Sequence, residues 1–327
     1  MKVAINGFGR IGRTVFKIGL QRGVNIVAIN DVHGPKDAAY LLKYDSVYGV
    51  YDKEVKVGKD CIIVGSRRIK VLQERDPKKL PWRKRGVDCV VESTGVFTDR
   101  KGASLHLQAG AKKVLISAPG KHMDLTIVPG ANSDKLMKKH KIISVASCTT
   151  NCLAPVAKIL NDKFGIEKAL MTTVHAYTNS QALHDGSAEK PRRGRAAAAN
   201  IVPTTTGATK AVIEVLPELK GKLDGLAMRV PVVTGSIVDL TAKLKKSFNV
   251  DLINKEFKRA AEGDYNGIVD YTEEELVSSD TIKNPYSAIV SGIDTQKVGD
   301  LVKILAWYDN EWGYSNRMVD VIKMLRG

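Results

Sequence analysis

The stretch "ASCTTNC", residues 146–152, places a thiol, Cys148, where the chain turns from strand to helix. Residues 141–146 read as a short buried strand. The next residues carry apolar side chains at Leu153, Val156, Ala157, Leu160 and Phe164, the spacing of one helical face. Ser147, Thr149 and Thr150 suit a helix N-terminus. Backbone N–H groups and the helix dipole at such a position favour a thiolate and predict a thiol pKa below the usual ~8.5. Two other readings fit the same residues: a buried structural cysteine, or a metal site built from Cys148 and Cys152. A CxxxC pair without further ligands is a poor metal site, so no metal is expected.

A second motif lies at the start of the chain. Gly7-Phe8-Gly9-Arg10-Ile11-Gly12 is G-x-G-x-x-G, after a predicted strand (residues 3–6) and opening a predicted helix (residues 10–21). The next strand, residues 25–30, ends at Asp31. Each part has a task in dinucleotide binding. Gly7 permits the tight turn, Gly9 lets the backbone approach the pyrophosphate, and Gly12 lets helix and strand pack closely. The helix N-terminus faces the phosphates, and Asp31 accepts from the adenosine ribose hydroxyls. The cofactor implied is NAD.

These residues need a scaffold. Residues 87–94, 112–119 and 141–146 read as buried strands and 99–109 as a helix, which argues for a parallel sheet covered on both faces. Ligands of such sheets bind beyond the strand C-terminal ends. Asp31, Thr94, Ser117 and Cys148 all fall at predicted strand ends and are expected to share one rim. Past the Cys148 helix come strands at 168–177, 225–232, 235–244, 287–294 and 300–309 with few helices between, predicting a mixed or largely antiparallel sheet. The fold class is therefore α/β: a Rossmann-type parallel domain, residues 1–147 joined by a C-terminal helix at 312–327, and an α+β catalytic domain, residues 148–311. A loop from 177 to about 203, rich in Gly, Pro, Ser and Arg, is long enough to be functional.

Composition bounds the setting. A chain of 327 residues, 43% hydrophobic and 26% charged, has room for two cored domains. Cys61, Cys89, Cys148 and Cys152 do not suggest a disulfide framework and fit a reducing compartment. The chain opens directly into a strand without a signal-peptide pattern, and no apolar run approaches a membrane span, so a cytoplasmic protein is expected. The net charge of +16 is spread over short lysine groups, densest at "EKPRRGR", residues 189–195. Such a surface is a solvated face, a non-specific attractor of nucleic acid, or a field that draws in phosphorylated small molecules. No zinc-finger spacing or aromatic-interleaved basic stripe points to specific nucleic-acid binding.

On the rim where a nicotinamide would lie, a cysteine can attack an aldehyde. The thiohemiacetal passes hydride to the nicotinamide and becomes a thioester. Of six histidines, His175 is the best general base, since it ends an apolar strand beside the long loop. It reads equally as a satisfied core histidine. His33, His106, His122, His140 and His184 lie in more polar or helical surroundings.

The motifs "INGFGRIGR", "LLKYDSV", "ESTGVF", "SCTTNC", "HAYTN", "RRGRAAAANIVPTTTGA" and "WYDNEWGYSNR" stand in an order and spacing that resemble the glyceraldehyde-3-phosphate dehydrogenase family over nearly the whole chain. The resemblance implies oxidative phosphorylation of D-glyceraldehyde 3-phosphate to 1,3-bisphosphoglycerate. It puts the nucleophile on Cys148 and the base on His175. It puts the nicotinamide carboxamide on Asn310 with Tyr314 nearby, and adds Arg75, Gly95 and Ser117 to the cofactor set. The substrate phosphate falls on Thr178 and Arg229. The attacking inorganic phosphate falls on Ser147, Thr149, Thr206 and Gly207, with Arg193 near both. A homotetramer is implied, with the long loop packing across subunits beside the cofactor.

The chain departs from the family pattern twice. Gly186-Ser187 stands where many NAD-specific members have Leu-Pro. A small residue and a hydroxyl leave room for a 2′-phosphate, as in members that resemble the NADP-accepting chloroplast enzymes, while Asp31 opposes one. NAD is expected to be preferred, with NADP accepted. The second departure is "RVPVVTGSIVDL", which keeps Arg229 but alters the residues after it. Two alternatives stand beside this reading: the related erythrose-4-phosphate dehydrogenase, and a non-catalytic binding role of the basic surface.

Overall fold

The computed structural model describes residues 1–326. The chain divides into two compact units. The first comprises residues 1–127, 134–146 and 315–326, and the second residues 128–133 and 147–314. The segment 128–133, expected with the first domain, thus belongs to the second, and the boundary near the C-terminus falls after Tyr314.

In the first unit, β1 (Lys2–Asn6), α1 (Arg10–Gln21) and β2 (Asn25–Asn30) come in that order. Next are α2 (Gly34–Lys43), a two-strand ribbon of β3 (Tyr44–Asp45) and β4 (Gly49–Val50), and the meander β5 (Val55–Val57), β6 (Cys61–Val64) and β7 (Arg67–Leu72). The short α3 (Trp82–Arg85), β8 (Cys89–Glu92), α4 (Arg100–Gln108), β9 (Lys113–Ile116), β10 (Leu125–Thr126) and β11 (Ile142–Ser144) complete it. One nine-stranded sheet results, in the order β10-β11-β9-β8-β1-β2-β7-β6-β5. Val3, Ile5, Ile29, Val90, Val91, Leu115 and Ile143 are buried, as strands covered on both faces require.

The sheet is parallel from β10 to β7, but β7, β6 and β5 pair antiparallel. The expected parallel sheet is present from β10 to β7, and the sheet continues beyond it into an antiparallel edge. Residues 51–72 lack the helical crossover that parallel neighbours need, and tight turns such as the one at Gly65 allow only antiparallel return. Helix α4 starts where Asp99 accepts the Gly102 N–H at 2.6 Å, a side-chain N-cap. Arg22 pairs with Asp320 at 2.6 Å, which ties α1 to the C-terminal helix within this unit.

The second unit begins with α5 (Cys148–Phe164), capped by Ser147, whose hydroxyl oxygen accepts the Thr150 N–H at 3.0 Å. Its strands are β12 (Ile166–Ala176), β13 (Val202–Thr205), β14 (Leu223–Val230), β15 (Ser236–Leu244), β16 (Val269–Thr272), β17 (Ala288–Val298) and β18 (Leu301–Tyr308). They form a seven-stranded sheet in the order β13-β14-β12-β15-β18-β17-β16. It is mixed: β12 with β14 and β16 with β17 run parallel, and the other pairs antiparallel. Alternation along β15 (Ser236, Val238, Leu240, Ala242 and Leu244 buried) turns one face inward, where α5 supplies Leu153, Val156 and Leu160. Helices α6 (Ala208–Val215) and α7 (Val250–Glu262) belong to this unit, and α8 (Trp312–Met324) closes the chain. No described helix is long and apolar enough to cross a membrane.

The glycines of the first turn differ in what they permit. A Cβ on Gly12 would lie 2.1 Å from the Gly7 carbonyl oxygen, whereas one on Gly9 would meet nothing within 4 Å. Gly12→Ala should therefore lower stability by about 1–3 kcal/mol, and Gly9→Ala by about 0.5 kcal/mol or less. Urea unfolding of both variants checks this; equal losses would remove the packing role given to Gly12.

Candidate active site

Each unit has its own set of candidate residues. In the first unit a cleft of about 500 Å³ opens at the C-terminal ends of β1, β2, β7 and β8. Gly7, Gly9, Asp31, Arg75 and Thr94 line it together with Phe8, His33 and Phe97. Gly7 has φ +88, and a Cβ there would lie 2.6 Å from the Thr94 nitrogen. Gly9 stands at the N-cap of α1 without a side chain to satisfy the first-turn N–H groups, which suits an anion. Asp31 is fixed by the Phe8 N–H at 2.8 Å and the His33 N–H at 3.1 Å. Arg10 turns its guanidinium to Asp45 at 2.8 Å, so its expected contribution to the cofactor reduces to its backbone. Burial would raise the Asp45 carboxyl, but Arg10 and the N–H groups of Val47 and Tyr48 hold it below the ordinary range. Ile11, Gly12, Gly95 and Ser117 do not line this cleft. Gly12 is buried, while Gly95 (φ +75) and Ser117 lie just past β8 and β9.

In the second unit the thiol of Cys148 lies 3.4 Å from His175 Nε2. The turn into the cysteine is sharp: Ala146 is buried with φ +56, a conformation that costs an L-residue roughly 1–2 kcal/mol. His175, near the end of β12 and just before the long loop, is 3% exposed. Its Nδ1 is 2.7 Å from the Ala176 carbonyl oxygen and 2.8 Å from Arg229 Nη1. A carbonyl only accepts and a guanidinium only donates, so the two contacts demand opposite tautomers. If Nδ1 carries the proton, it donates to Ala176, and Arg229 donates to the same oxygen at 3.0 Å. Nε2 then faces the thiol with a lone pair. The other tautomer would set two acceptors 2.7 Å apart and turn an N–H against the S–H. The geometry assigns the first.

Burial pushes the His175 pKa down to about 3, and the Arg229 charge adds to this. Burial pushes the Cys148 thiol up, against Arg229 and the N–H groups of Thr149 and Cys148, which pull it down. The expected depressed thiol is corrected: the helix N-terminus acts in the expected direction, but desolvation outweighs it. Both shifts favour the uncharged forms, a thiol and a neutral imidazole.

The other expected residues of the second unit have partners of their own. Ser147 caps α5 and its hydroxyl lies 2.7 Å from that of Thr150. The Thr149 hydroxyl is buried against Tyr308 Oη at 2.9 Å, which also meets Thr173 at 2.8 Å, so it is turned to the interior. Thr178 meets Ser180 at 2.9 Å. Arg193 donates to Thr204 at 3.0 Å and to the Thr205 carbonyl at 3.2 Å. Thr206 accepts the Ala208 N–H at 3.1 Å, and Gly207 is the N-cap of α6. Gly186 and Ser187 are exposed on the loop, where Arg195 pairs with Asp185 at 2.8 Å. Asn310 is buried, and its Oδ1 accepts from Gly235 N–H at 3.1 Å and Ser236 Oγ at 3.0 Å. That fixes the amide orientation, and Nδ2 takes no partner among the described residues. Ser236 also accepts the Ala176 N–H at 3.1 Å, joining Asn310 to the histidine strand. Tyr314 is buried, and its hydroxyl pKa is raised well above the ordinary value by that burial. No group of three or more metal-ligating side chains occurs among the described residues.

Sequence reasoning missed Tyr308 and Ser236. Tyr308 stands edge-on to His175, ring centroids 6.0 Å apart. Its place two residues before Asn310 at the end of an alternating strand was the available signal. His106, expected in polar or helical surroundings, stands on helix α4 and is fully buried.

A nucleotide-binding parallel domain beside a mixed-sheet unit that holds a Cys–His contact defines the class of NAD-dependent dehydrogenases. Residues 1–100 match the NAD binding domain of glyceraldehyde 3-phosphate dehydrogenase, and residues 147–310 its C-terminal domain. The chain is 54% identical to glyceraldehyde-3-phosphate dehydrogenase 2 of Bacillus subtilis, covering 99% of this chain and 96% of that one. It is 56% identical to glyceraldehyde-3-phosphate dehydrogenase of Borreliella burgdorferi (99% of both chains) and 54% identical to that of Geobacillus stearothermophilus (98% and 97%). The chain belongs to the glyceraldehyde 3-phosphate dehydrogenase family.

The buried neutral histidine has a consequence for stability. An unfolded histidine protonates near pH 6.5 and folded His175 only near 3, so between these values the unfolded chain binds the extra proton. Stability should fall as pH drops through this window. His175→Gln should flatten the dependence of the melting temperature on pH between about 6.5 and 4.5 relative to the parent. Parallel curves for the two proteins would refute the assignment of a neutral His175.

Proposed function

We propose that this chain carries out its family's reaction, the oxidation and phosphorylation of glyceraldehyde 3-phosphate, with Cys148 as nucleophile and His175 as base. The observation that carries the reading is the Cys148–His175 contact, with the Nε2 lone pair directed at the thiol. As Cys148 Sγ attacks the aldehyde carbon, His175 Nε2 takes the thiol proton and returns it to the oxygen that becomes the thiohemiacetal hydroxyl. His175 then takes the hydroxyl proton as the carbon loses hydride, which leaves a thioester. Inorganic phosphate attacks that carbonyl, releases an acyl phosphate, and Cys148 regains its proton.

NAD, when bound, supplies the hydride acceptor. The cleft fits it: a left-handed Gly7, an uncapped helix start at Gly9 and an anchored Asp31 are what pyrophosphate and ribose require. Asn310, its Oδ1 already engaged, would offer Nδ2–H₂ to the carboxamide, with Tyr314 beside it in sequence. For anions, Arg229 and Thr178 are assigned the substrate phosphate. Ser147, Thr206 and Gly207 are assigned the attacking phosphate with Arg193, helped by the N-terminus of α6. Thr149 would act from behind, through Tyr308. The chain is read as a cytoplasmic homotetramer; exposed Leu170 on β12 and Leu226 on the neighbouring β14, with exposed Ile201 just before β13, support an oligomer.

Initial rates with glyceraldehyde 3-phosphate and with erythrose 4-phosphate, each with NAD and NADP and with and without phosphate, test the substrate and separate the two dehydrogenase readings. Rates favouring erythrose 4-phosphate would overturn the triose assignment. With a slowly deacylating aldehyde, mass spectrometry should find the acyl group on Cys148, and Cys148→Ala should abolish acylation while NAD still binds. Acyl label on Cys61, Cys89 or Cys152 would overturn the nucleophile.

NAD is read as preferred and NADP as accepted. The Asp31 charge repels a 2′-phosphate, at a cost between ~1 kcal/mol in bulk water and ~4 kcal/mol at surface-like effective dielectric. Asp31→Ala should shift the ratio of kcat/KM values toward NADP by roughly tenfold or more. Replacing Gly186-Ser187 with Leu-Pro should shift it the other way. A ratio unmoved by either change would remove both residues from cofactor selection.

A further inference from the structure

Beneath the cleft of the first unit runs a chain of buried polar side chains to which the reaction assigns no task. It begins at Trp82, fully buried, whose indole N–H lies 3.0 Å from His106 Nδ1. An indole nitrogen only donates, so Nδ1 accepts and the imidazole proton sits on Nε2. That proton points at Glu92 Oε2, 2.9 Å away. Glu92, the last residue of β8, is 1% exposed. Oε2 also accepts from Asn6 Nδ2 at 2.6 Å, and Oε1 accepts the Thr94 N–H at 2.8 Å and the Thr94 hydroxyl. Four donors therefore converge on one buried carboxylate.

The chain continues sideways across the sheet. Because Asn6 spends its amide N–H on Glu92, its Oδ1 is left to accept from Asn30 Nδ2 at 2.7 Å. Asn30 Oδ1 then accepts the Glu74 N–H at 2.9 Å, and its Nδ2 reaches the Glu74 carbonyl at 2.8 Å. Glu92, Asn6 and Asn30 end β8, β1 and β2, and Glu74 lies just past β7. Asn6, Asn30 and Glu74 line the cleft themselves beside Gly7, Asp31 and Arg75, and Glu92 stands two residues before Thr94, which lines it too. Thr94 in turn accepts the Val96 N–H at 3.0 Å and packs its backbone where a Gly7 side chain would be.

We propose that Glu92 is a positioning residue for the dinucleotide. Held by His106 and Trp82, it sets the relative places of Thr94, Gly7 and, through Asn6 and Asn30, of Asp31. The proposal rests on the reading that this cleft takes NAD. Its logic is directional. Each amide and the imidazole has a forced orientation because the carboxylate can only accept. An amide at position 92 would turn a donor toward one pair of these donors, whichever way it faced, and would leave them buried and unpaired.

The test uses the full chain and measures NAD binding by calorimetry beside melting temperature and KM values. Glu92→Gln and His106→Leu should each raise the Kd for NAD and its KM by about tenfold, while the KM for glyceraldehyde 3-phosphate stays within about twofold. His106→Gln, which can still accept from Trp82 and donate to Glu92, should restore NAD binding to within about threefold of the parent. If Glu92→Gln fails to fold, Thr94→Val, which removes only the exposed threonine's hydroxyl between Glu92 and Val96, and His106→Leu decide. Lowered melting temperatures with an unchanged Kd would overturn the proposal and leave the network as fold support. A rise of the same size in His106→Gln as in His106→Leu would overturn it too. A parent protein that binds no NAD would instead remove the reading of the cleft on which it rests.

Discussion

The carbonyl oxygen of Ala176 accepts from His175 Nδ1–H and from Arg229 together, at 2.7 and 3.0 Å. What the second unit can do chemically depends on this shared acceptor. It decides which imidazole nitrogen carries the proton, and so turns a lone pair to Cys148. It also brings a guanidinium within reach of both groups. That charge lowers the histidine pKa and eases the thiol downward, so it opposes two protons in one place. Burial works on the same pair in opposite senses, favouring the neutral form of both groups. In the roles proposed for them, a neutral His175 beside a neutral Cys148 would let proton transfer accompany attack, without a standing ion pair that a dry site would penalise.

A comparable economy governs the first unit. Parallel strands end together, so whatever side chains terminate them meet on one side of the sheet. Here those side chains are Asn6, Asn30 and Glu92; they bond to one another, and Asn6 and Asn30 line the cleft together with the neighbouring residues Gly7, Asp31 and Thr94. A polar network buried at this depth is tolerable only when its polar atoms find partners, and from the Trp82 indole to the Glu74 backbone His106, Glu92, Asn6 and Asn30 each do.

The charge of +16 finds local use in the second unit. Arg229 and Arg193 both bear on His175, and both lower its pKa. Much of the remaining lysine surface is simply solvated or pairs locally, as Lys112 does with Asp88 and Lys158 with Asp162. Neighbouring exposed pairs of this kind contribute little to stability.

Periodicity and local chemistry were enough for the strands and helices nearest the site. Helix Arg10–Gln21 and strand Asn25–Asn30 stand where apolar spacing put them, and Ser147 and Asp99 cap the helices they precede. The glycine motif with its terminal Asp31, the thiol at a helix start and a histidine at a strand end were legible for the same reason: each is a pattern within a few residues. The antiparallel edge β5–β7 was not legible, because short half-exposed strands carry little periodicity. Nor was the thiol pKa, since desolvation depends on neighbours distant in sequence. Tyr308 reaches Thr149 across 159 positions, and Glu92 joins Asn6 across 86. The sequence by itself determined which groups can do chemistry and which strand ends carry them. Only the tertiary structure decided their protonation, their tautomers and their partners, because those depend on burial and on hydrogen bonds between segments that the chain order keeps apart.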